Sequence, residues 1–171
     1  GKTLGIIGFG RIGRETAKIA IGIGMNVLAY DKFLKESNVT LNFFNGKTFD
    51  FNIKISKFED LLKKSDFISL HVPAQKEFVI DKKEFNIMKD GVGIINAARG
   101  GVLNEIELVS ALDSGKVSFA GLDTFENEPK PEIRLLMHPN ISLTPHIGAA
   151  TNEAQDRIGL ELADQISGLL K

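Results

Sequence analysis

The sequence predicts an α/β protein, a doubly wound parallel sheet of about seven strands with helices on both faces. Two observations carry that expectation. Short apolar runs of strand length alternate with longer stretches of helical periodicity, the pattern of consecutive βαβ units. The first run also ends in "GFGRIG" (Gly8–Gly13), a glycine turn between a strand and a helix.

Taken in order, "TLGIIG" (Thr3–Gly8) is a short buried strand. Ile12, Thr16, Ile19, Ala20 and Ile23 follow at i, i+4, i+7, i+8 and i+11, which predicts one face of an amphipathic helix. "NVLAYD" (Asn26–Asp31) is the second strand. From Phe33 to Phe58 the pattern breaks, and Asn45-Gly46 between two aromatic-rich arms predicts an inserted surface hairpin. An exposed aromatic patch used for association is the alternative there. "FEDLLKKS" suits a short helix, and a strand over Asp66–Pro73 stops at its proline. A helix end, a turn at Asp90-Gly91 and a strand through Ile94 and Ile95 come next. "NEIELVSALDSG" is a helix with Asn104 as N-cap and Gly115 just past its end. Strands at "VSFAGLD" and "ISLTP" precede a final helix carrying Ile158, Leu162, Ile166, Leu169 and Leu170 on its apolar side.

A chain of 171 residues suits a single domain over residues 1–171, large enough for a sizeable core. Its net charge of -1 offers no basic field for nucleic acid or for a membrane surface. Zero cysteines exclude disulfides and thiolate chemistry and fit a reducing, cytoplasmic setting. No apolar run reaches the roughly 18 residues of a membrane span. No metal site is expected. The chain opens on Gly1-Lys2-Thr3, without a start methionine, and is expected to be one domain of a longer protein.

The glycine loop gains meaning from its context. Gly8 permits the tight turn, Gly10 lets a pyrophosphate approach the backbone, and Gly13 seats the helix on the strand, as in a Rossmann-type site. Asp31 ends the second strand at about the distance expected of a carboxylate that binds an adenosine ribose diol. A carboxylate repels a 2′-phosphate, so NAD is the expected cofactor, ahead of NADP. A structural glycine turn with an unrelated surface aspartate is the bland alternative.

Function in an open α/β sheet belongs at the carboxyl ends of the strands. Those ends carry His71, Arg99, Asp123 and His146. Singly, each has an ordinary explanation: a packed ring, a surface arginine in a tight turn, a turn-capping aspartate. His138 reads as loop surface, and Glu126 and Glu128 as solvated loop acids. Together they form a chemical set. A histidine moves a proton near neutral pH, a carboxylate orients it, and an arginine grips a carboxylate or polarises a carbonyl. With a nicotinamide supplying the hydride, the set suits oxidation of a 2-hydroxy acid.

Three stretches, "GIIGFGRIG", "MKDGVGIINAARGGVLNEIELVSAL" with "AGLDTFENEP", and "TPHIGAATNEAQDRIG", resemble the D-isomer-specific 2-hydroxyacid dehydrogenases. The likeness covers nearly the whole chain apart from residues 33–58, and its last stretch is similar to the 3-phosphoglycerate dehydrogenase branch. The resemblance implies a role for each matching position. Arg11 and Ile12 would cover the pyrophosphate, Asp31 would bind the ribose, and His71, Val72 and Pro73 would line the adenine side. Ala97, Ala98 and Asp123 would meet the nicotinamide end, and Ile147, Gly148 and Ala149 would close over it. Arg99 would bind the substrate's carboxylate and keto oxygen. His146, paired with Glu128, would be base in one direction and acid in the other. The resemblance further implies oxidation of 3-phosphoglycerate in serine biosynthesis, with glyoxylate or hydroxypyruvate reduction or an NAD-sensing corepressor as alternatives. It also implies a homodimer, and a separate substrate-binding domain that this chain lacks.

Overall fold

Six parallel strands form the sheet. In the computed structural model, which describes residues 1–170, β1 (Thr3–Ile7) lies between β2 (Asn26–Tyr30) and β5 (Phe67–Leu70). β6 (Val92–Asn96), β7 (Val117–Leu122) and β8 (Ile141–Leu143) extend it beyond β5. The chain therefore runs outward one way from β1 to β2, then crosses back and builds the other side from β5. That reversal places a crevice at the carboxyl ends of β1 and β5, where ligands bind in sheets of this kind.

Strand sequences follow from burial on both faces. "TLGII", "FISL" and "VGIIN" read as continuous apolar runs because helices cover each side. Alternation within β1 divides the core. Leu4 and Ile6 join Phe9, Ala17, Ala20, Ala29 and Val39 on the side of α1 (Arg11–Gly22), while Ile7 joins the larger cluster around Leu61, Leu62, Ile68 and Ile94. The larger cluster packs α2 (Phe58–Lys64), α3 (Lys82–Ile87) and α4 (Glu105–Asp113) against the sheet. α5 (Ile133–Leu136) is a single turn anchored by buried Leu135.

Three features depart from the sequence reading. The expected seventh strand is reduced to one parallel bridge, Ala29 to Ile55, outside β2. The chain ahead of that bridge is occupied by a separate antiparallel hairpin, β3 (Glu36–Asn42) with β4 (Thr48–Lys54), turning at Gly46 with φ +78°. Its inner face carries Val39, which is buried, and the half-buried Ile53, but Phe43, Phe44 and Phe49 at the far end are exposed.

Second, α1 presents Gly13, Ala17 and Ala20 to the sheet, so only Ala20 of the predicted face is buried: Ile12, Ile19 and Ile23 are each about 70% exposed. Close packing on β1 selects the smallest residues, because Ile6 and the Gly8 carbonyl occupy the space a Cβ on Gly13 would need. Third, α6 (Asn152–Leu169), capped by the Thr151 hydroxyl, buries none of its residues, so the apolar side read from its sequence lies uncovered. Its link to the body is an exposed pair, Arg11 to Glu161, at 3.3 Å.

Candidate active site

The glycine loop is built by close approach. Gly8 has φ +92°, and a Cβ there would fall 2.5 Å from the His71 carbonyl oxygen, so β1 and β5 meet at backbone distance. Gly10 is the contrary case: a Cβ on it would meet nothing within 4 Å. Its open side faces away from the protein, at the start of a helix with no side-chain cap and no acid in its first turn. The first amides of α1 are therefore free for an anion, and the residues present fit a dinucleotide pyrophosphate.

Asp31, just past β2, is already partly used. Its Oδ2 accepts from the Phe9 amide at 2.9 Å, and its Oδ1 accepts from Phe33 at 2.8 Å and Leu34 at 3.3 Å. The carboxylate thus ties the glycine loop to the chain that follows β2. A carboxylate has about four acceptor positions, so one remains beyond these three. His71, just past β5, is held by Ser69 at 2.9 Å from Nε2, and burial pushes its imidazole pKa down. It stays neutral at pH 7. Arg11 pairs with Glu161 on α6, and Ile12 is largely solvent-facing.

At the far side of the crevice, three strand ends converge. The turn after β6 is shaped by buried Asn96, whose side chain donates to the Arg99 carbonyl and accepts from the Ala98 amide, both at 3.1 Å. Ala97 and Arg99 face solvent, with the Arg99 guanidinium donating to the Ala98 carbonyl at 2.6 Å. Gly100 lies directly against the Phe125 carbonyl, where no larger residue fits. That contact joins the Arg99 turn to the loop after β7.

Asp123 organises the third end. Its Oδ1 accepts from the Thr144 hydroxyl at 2.5 Å and the Ile147 amide at 2.9 Å, and its Oδ2 accepts from the Gly148 amide at 2.9 Å. Burial pushes this carboxyl up, but the Thr144, Ile147 and Gly148 bonds together outweigh it and hold the pKa below the usual range. The loop so gathered forces His146 into the left-handed region at φ +56°. A non-glycine residue there costs roughly 1–2 kcal/mol, which the Asp123 bonds offset.

In that conformation His146 Nδ1 sits 2.8 Å from Glu128 Oε2. Glu128 Oε1 accepts from the Phe125 amide at 3.0 Å. Its hydrogen bond with His146, then that with Phe125, draws the Glu128 pKa down, so the carboxylate is ionised at neutral pH. Both partners are partly exposed, and they border a cleft of about 390 Å³ lined by Phe125, Pro131, Leu136 and Leu143. The opposite ring nitrogen, Nε2, has no partner among the described residues.

The sequence reading is thus sorted by geometry. His146 and Glu128 are in contact, Asp123 binds the His146 loop, and Gly8, Gly13, the His71 carbonyl and the Val72 side chain form one junction. Arg99 stands on the neighbouring turn without a hydrogen bond to either, and Pro73 and Ala149 are exposed, the Pro73 carbonyl accepting from the Gln75 side chain at 2.9 Å. Asn96 and Thr144 were not singled out from sequence; their signal is a polar residue two or three positions before an ionisable one at a strand end. Glu105 and Glu126 were missed too: each accepts the other's backbone amide, at 2.7 and 2.8 Å. Among the described residues no group of three or more His, Asp or Glu is placed to hold a metal, and no helix is long and apolar enough to cross a membrane.

Residues 1–148 match the D-isomer specific 2-hydroxyacid dehydrogenase, NAD binding domain. The chain is 47% identical over 171 residues to a hydroxypyruvate reductase from Thermotoga maritima, covering 97% of this chain and 52% of that protein. It is 43% identical over 174 residues to a D-3-phosphoglycerate dehydrogenase from Archaeoglobus fulgidus, covering 100% of this chain and 31% of that protein. A crystal structure of a glyoxylate reductase from Paecilomyes thermophila superposes with a TM-score of 0.78 at 41% identity, over 94% of this chain and 46% of that one. The chain belongs to the D-isomer specific 2-hydroxyacid dehydrogenase family and carries its NAD-binding domain. It spans between about a third and a half of the length of these relatives.

Proposed function

We propose that this chain is the cofactor-binding, proton-handling half of an enzyme that oxidises or reduces a D-2-hydroxy acid. The observation that carries the proposal is the His146–Glu128 pair at the carboxyl end of a sheet whose crevice opens on the glycine loop. NAD, when bound, supplies the hydride acceptor or donor. The chain's own residues do the rest. The first amides of α1 and Gly10 hold the pyrophosphate, Asp31 takes the adenosine ribose, and His71, Val72 and Pro73 line the adenine side. Arg11 and Ile12 lie over the pyrophosphate once the Glu161 pair is released. Asp123 uses its remaining acceptor position for the carboxamide, and Ala97, Ala98, Ile147, Gly148 and Ala149 enclose the ring.

Arg99 grips the substrate's carboxylate and keto oxygen. The unpartnered Nε2 of His146 takes the hydroxyl proton in oxidation and returns it in reduction, while Glu128 holds the imidazolium at Nδ1. A substrate-binding domain outside this chain completes the pocket, in keeping with the greater length of the relatives. The preferred substrate is 3-phosphoglycerate, which would place the enzyme in serine biosynthesis, as a cytoplasmic homodimer. This follows from the "TPHIGAATNEAQ" stretch and from the D-3-phosphoglycerate dehydrogenase relative. Hydroxypyruvate reduction is the second reading, favoured by the 47% identity to a hydroxypyruvate reductase.

The test is kinetic. The full-length protein is assayed with 3-phosphoglycerate and NAD, and separately with hydroxypyruvate or glyoxylate and NADH. A kcat/KM at least tenfold higher for one pair assigns the substrate. No turnover of any of them, with NADH bound, contradicts the dehydrogenase reading.

A further inference from the structure

We infer that Glu105 and Glu126 are positioning residues for the His146–Glu128 pair, through a reciprocal clasp between the start of α4 and the loop after β7. Glu105 is the first residue of α4, and its amide is one of the donors that a helix leaves unpaired. Asn104 caps the next two amides, those of Ile106 and Glu107, so the Glu105 amide needs an outside acceptor. Glu126 Oε1 supplies it at 2.8 Å, and the Glu105 side chain returns the bond to the Glu126 amide at 2.7 Å. Two backbone positions far apart in sequence are locked by a closed ring of two hydrogen bonds.

The clasp matters because of what adjoins it. Phe125, the residue before Glu126, donates its amide to Glu128 Oε1, and Glu128 Oε2 faces His146 Nδ1. Fixing the Glu126 backbone therefore fixes the Phe125 amide, which orients the carboxylate, which sets the face of the imidazole. Neither Glu105 nor Glu126 meets the reacting atoms. The Glu105 side chain is buried at 6% exposure, beside a cleft of about 400 Å³ that Ile106, Val109, Glu132, Arg134 and Leu135 also line. Burial first, and then the charges of Glu126, Glu132 and Glu128, raise its pKa to about 7 against the opposing bond from the Glu126 amide. Arg134 is the one cation lining that cleft. The carboxyl oxygen that accepts the Glu126 amide serves in either protonation state, so the clasp survives on both sides of neutrality.

The inference rests on reading His146 and Glu128 as the proton-handling site, but its test does not use turnover. The chain has only three histidines, so ring ¹⁵N signals of His146 are assignable by comparison with His146→Ala. Glu128 accepts and cannot donate when ionised, so the neutral ring carries its proton on Nδ1. In Glu126→Ala and Glu105→Ala, the Nδ1–H tautomer falls toward the fraction seen in Glu128→Ala, and exchange of the Phe125 amide quickens on the order of tenfold. Glu126→Gln and Glu105→Gln keep an amide-accepting oxygen and restore both signals to the parent values. Glu126 is exposed, so Glu126→Ala decides the matter if the buried Glu105→Ala fails to fold. An unchanged tautomer fraction with Phe125 exchange within twofold in Glu126→Ala overturns the inference. So do glutamine variants that behave like the alanine ones. Failure to bind NADH would count against the proposed function and leave this result untouched.

Discussion

Asp123→Asn is the substitution that probes the His146 loop most sharply. The parent carboxylate accepts three hydrogen bonds from that loop, one on Oδ2 and two on Oδ1. Asparagine keeps one oxygen, so whichever way it turns, its NH₂ must face a donor. One charge-assisted bond, worth about 1.5–3 kcal/mol, is lost, and the remaining ones weaken to neutral strength. The loop must still hold His146 at φ +56°, a conformation that costs roughly 1–2 kcal/mol. The closed loop therefore loses about 2–4 kcal/mol against open forms, a rise of roughly 30-fold or more in opening, since 1.4 kcal/mol is tenfold. Amide hydrogen exchange reads this directly. Protection at Ile147 and Gly148 drops at least tenfold, while the core amides of β1 and β5 keep theirs. Protection at both amides within twofold of the parent refutes the assignment of Asp123 as the loop's organiser.

Other expectations follow from the same geometry. Gly13→Ala drives a methyl into the Gly8 carbonyl and Ile6, and lowers stability by about 1–3 kcal/mol in urea denaturation. Gly10→Ala meets no protein atom, so stability changes by less than about 1 kcal/mol while NADH affinity in a fluorescence titration falls at least tenfold. With Asp31 on the adenosine ribose as proposed, its carboxylate repels a 2′-phosphate and NADH binds at least tenfold more tightly than NADPH; equal affinities contradict that assignment. Glu105 has a folded-state pKa raised to about 7, above its model-peptide value of 4.5, so the folded state holds the extra proton between those values. The Glu105 contribution to unfolding free energy consequently falls as pH rises from about 4.5 to about 7, and Glu105→Gln removes that contribution from urea midpoints measured across the window.

Much of the fold was legible because its signals are local. Asn104 and Gly115 bracket α4 as their capping chemistry dictates, and the Asn45-Gly46 pair marks the hairpin turn. The face of α1 was not legible from periodicity alone. Ile12, Ile19 and Ile23 lie on a different face of that helix from Gly13, Ala17 and Ala20, and the requirement for close approach at Gly13 turns the small residues inward. The seventh strand failed for a related reason, since the inserted hairpin leaves only Ile55 to pair with β2. At the site, charged residues at strand ends were visible, and the contact of His146 with Glu128 spans only 18 positions. The clasp of Glu105 and Glu126 was not, because each residue looks like an ordinary acid at a helix start or in a loop. Only the fold brings their amides within reach.

The central claim is that His146 carries the proton. The measurement is single-turnover hydride transfer in the full-length protein, parent against His146→Ala, with NADH affinity determined in parallel. The account predicts a loss of at least a hundredfold in the transfer rate, with NADH affinity changed less than threefold. Near-parental transfer in His146→Ala would contradict it.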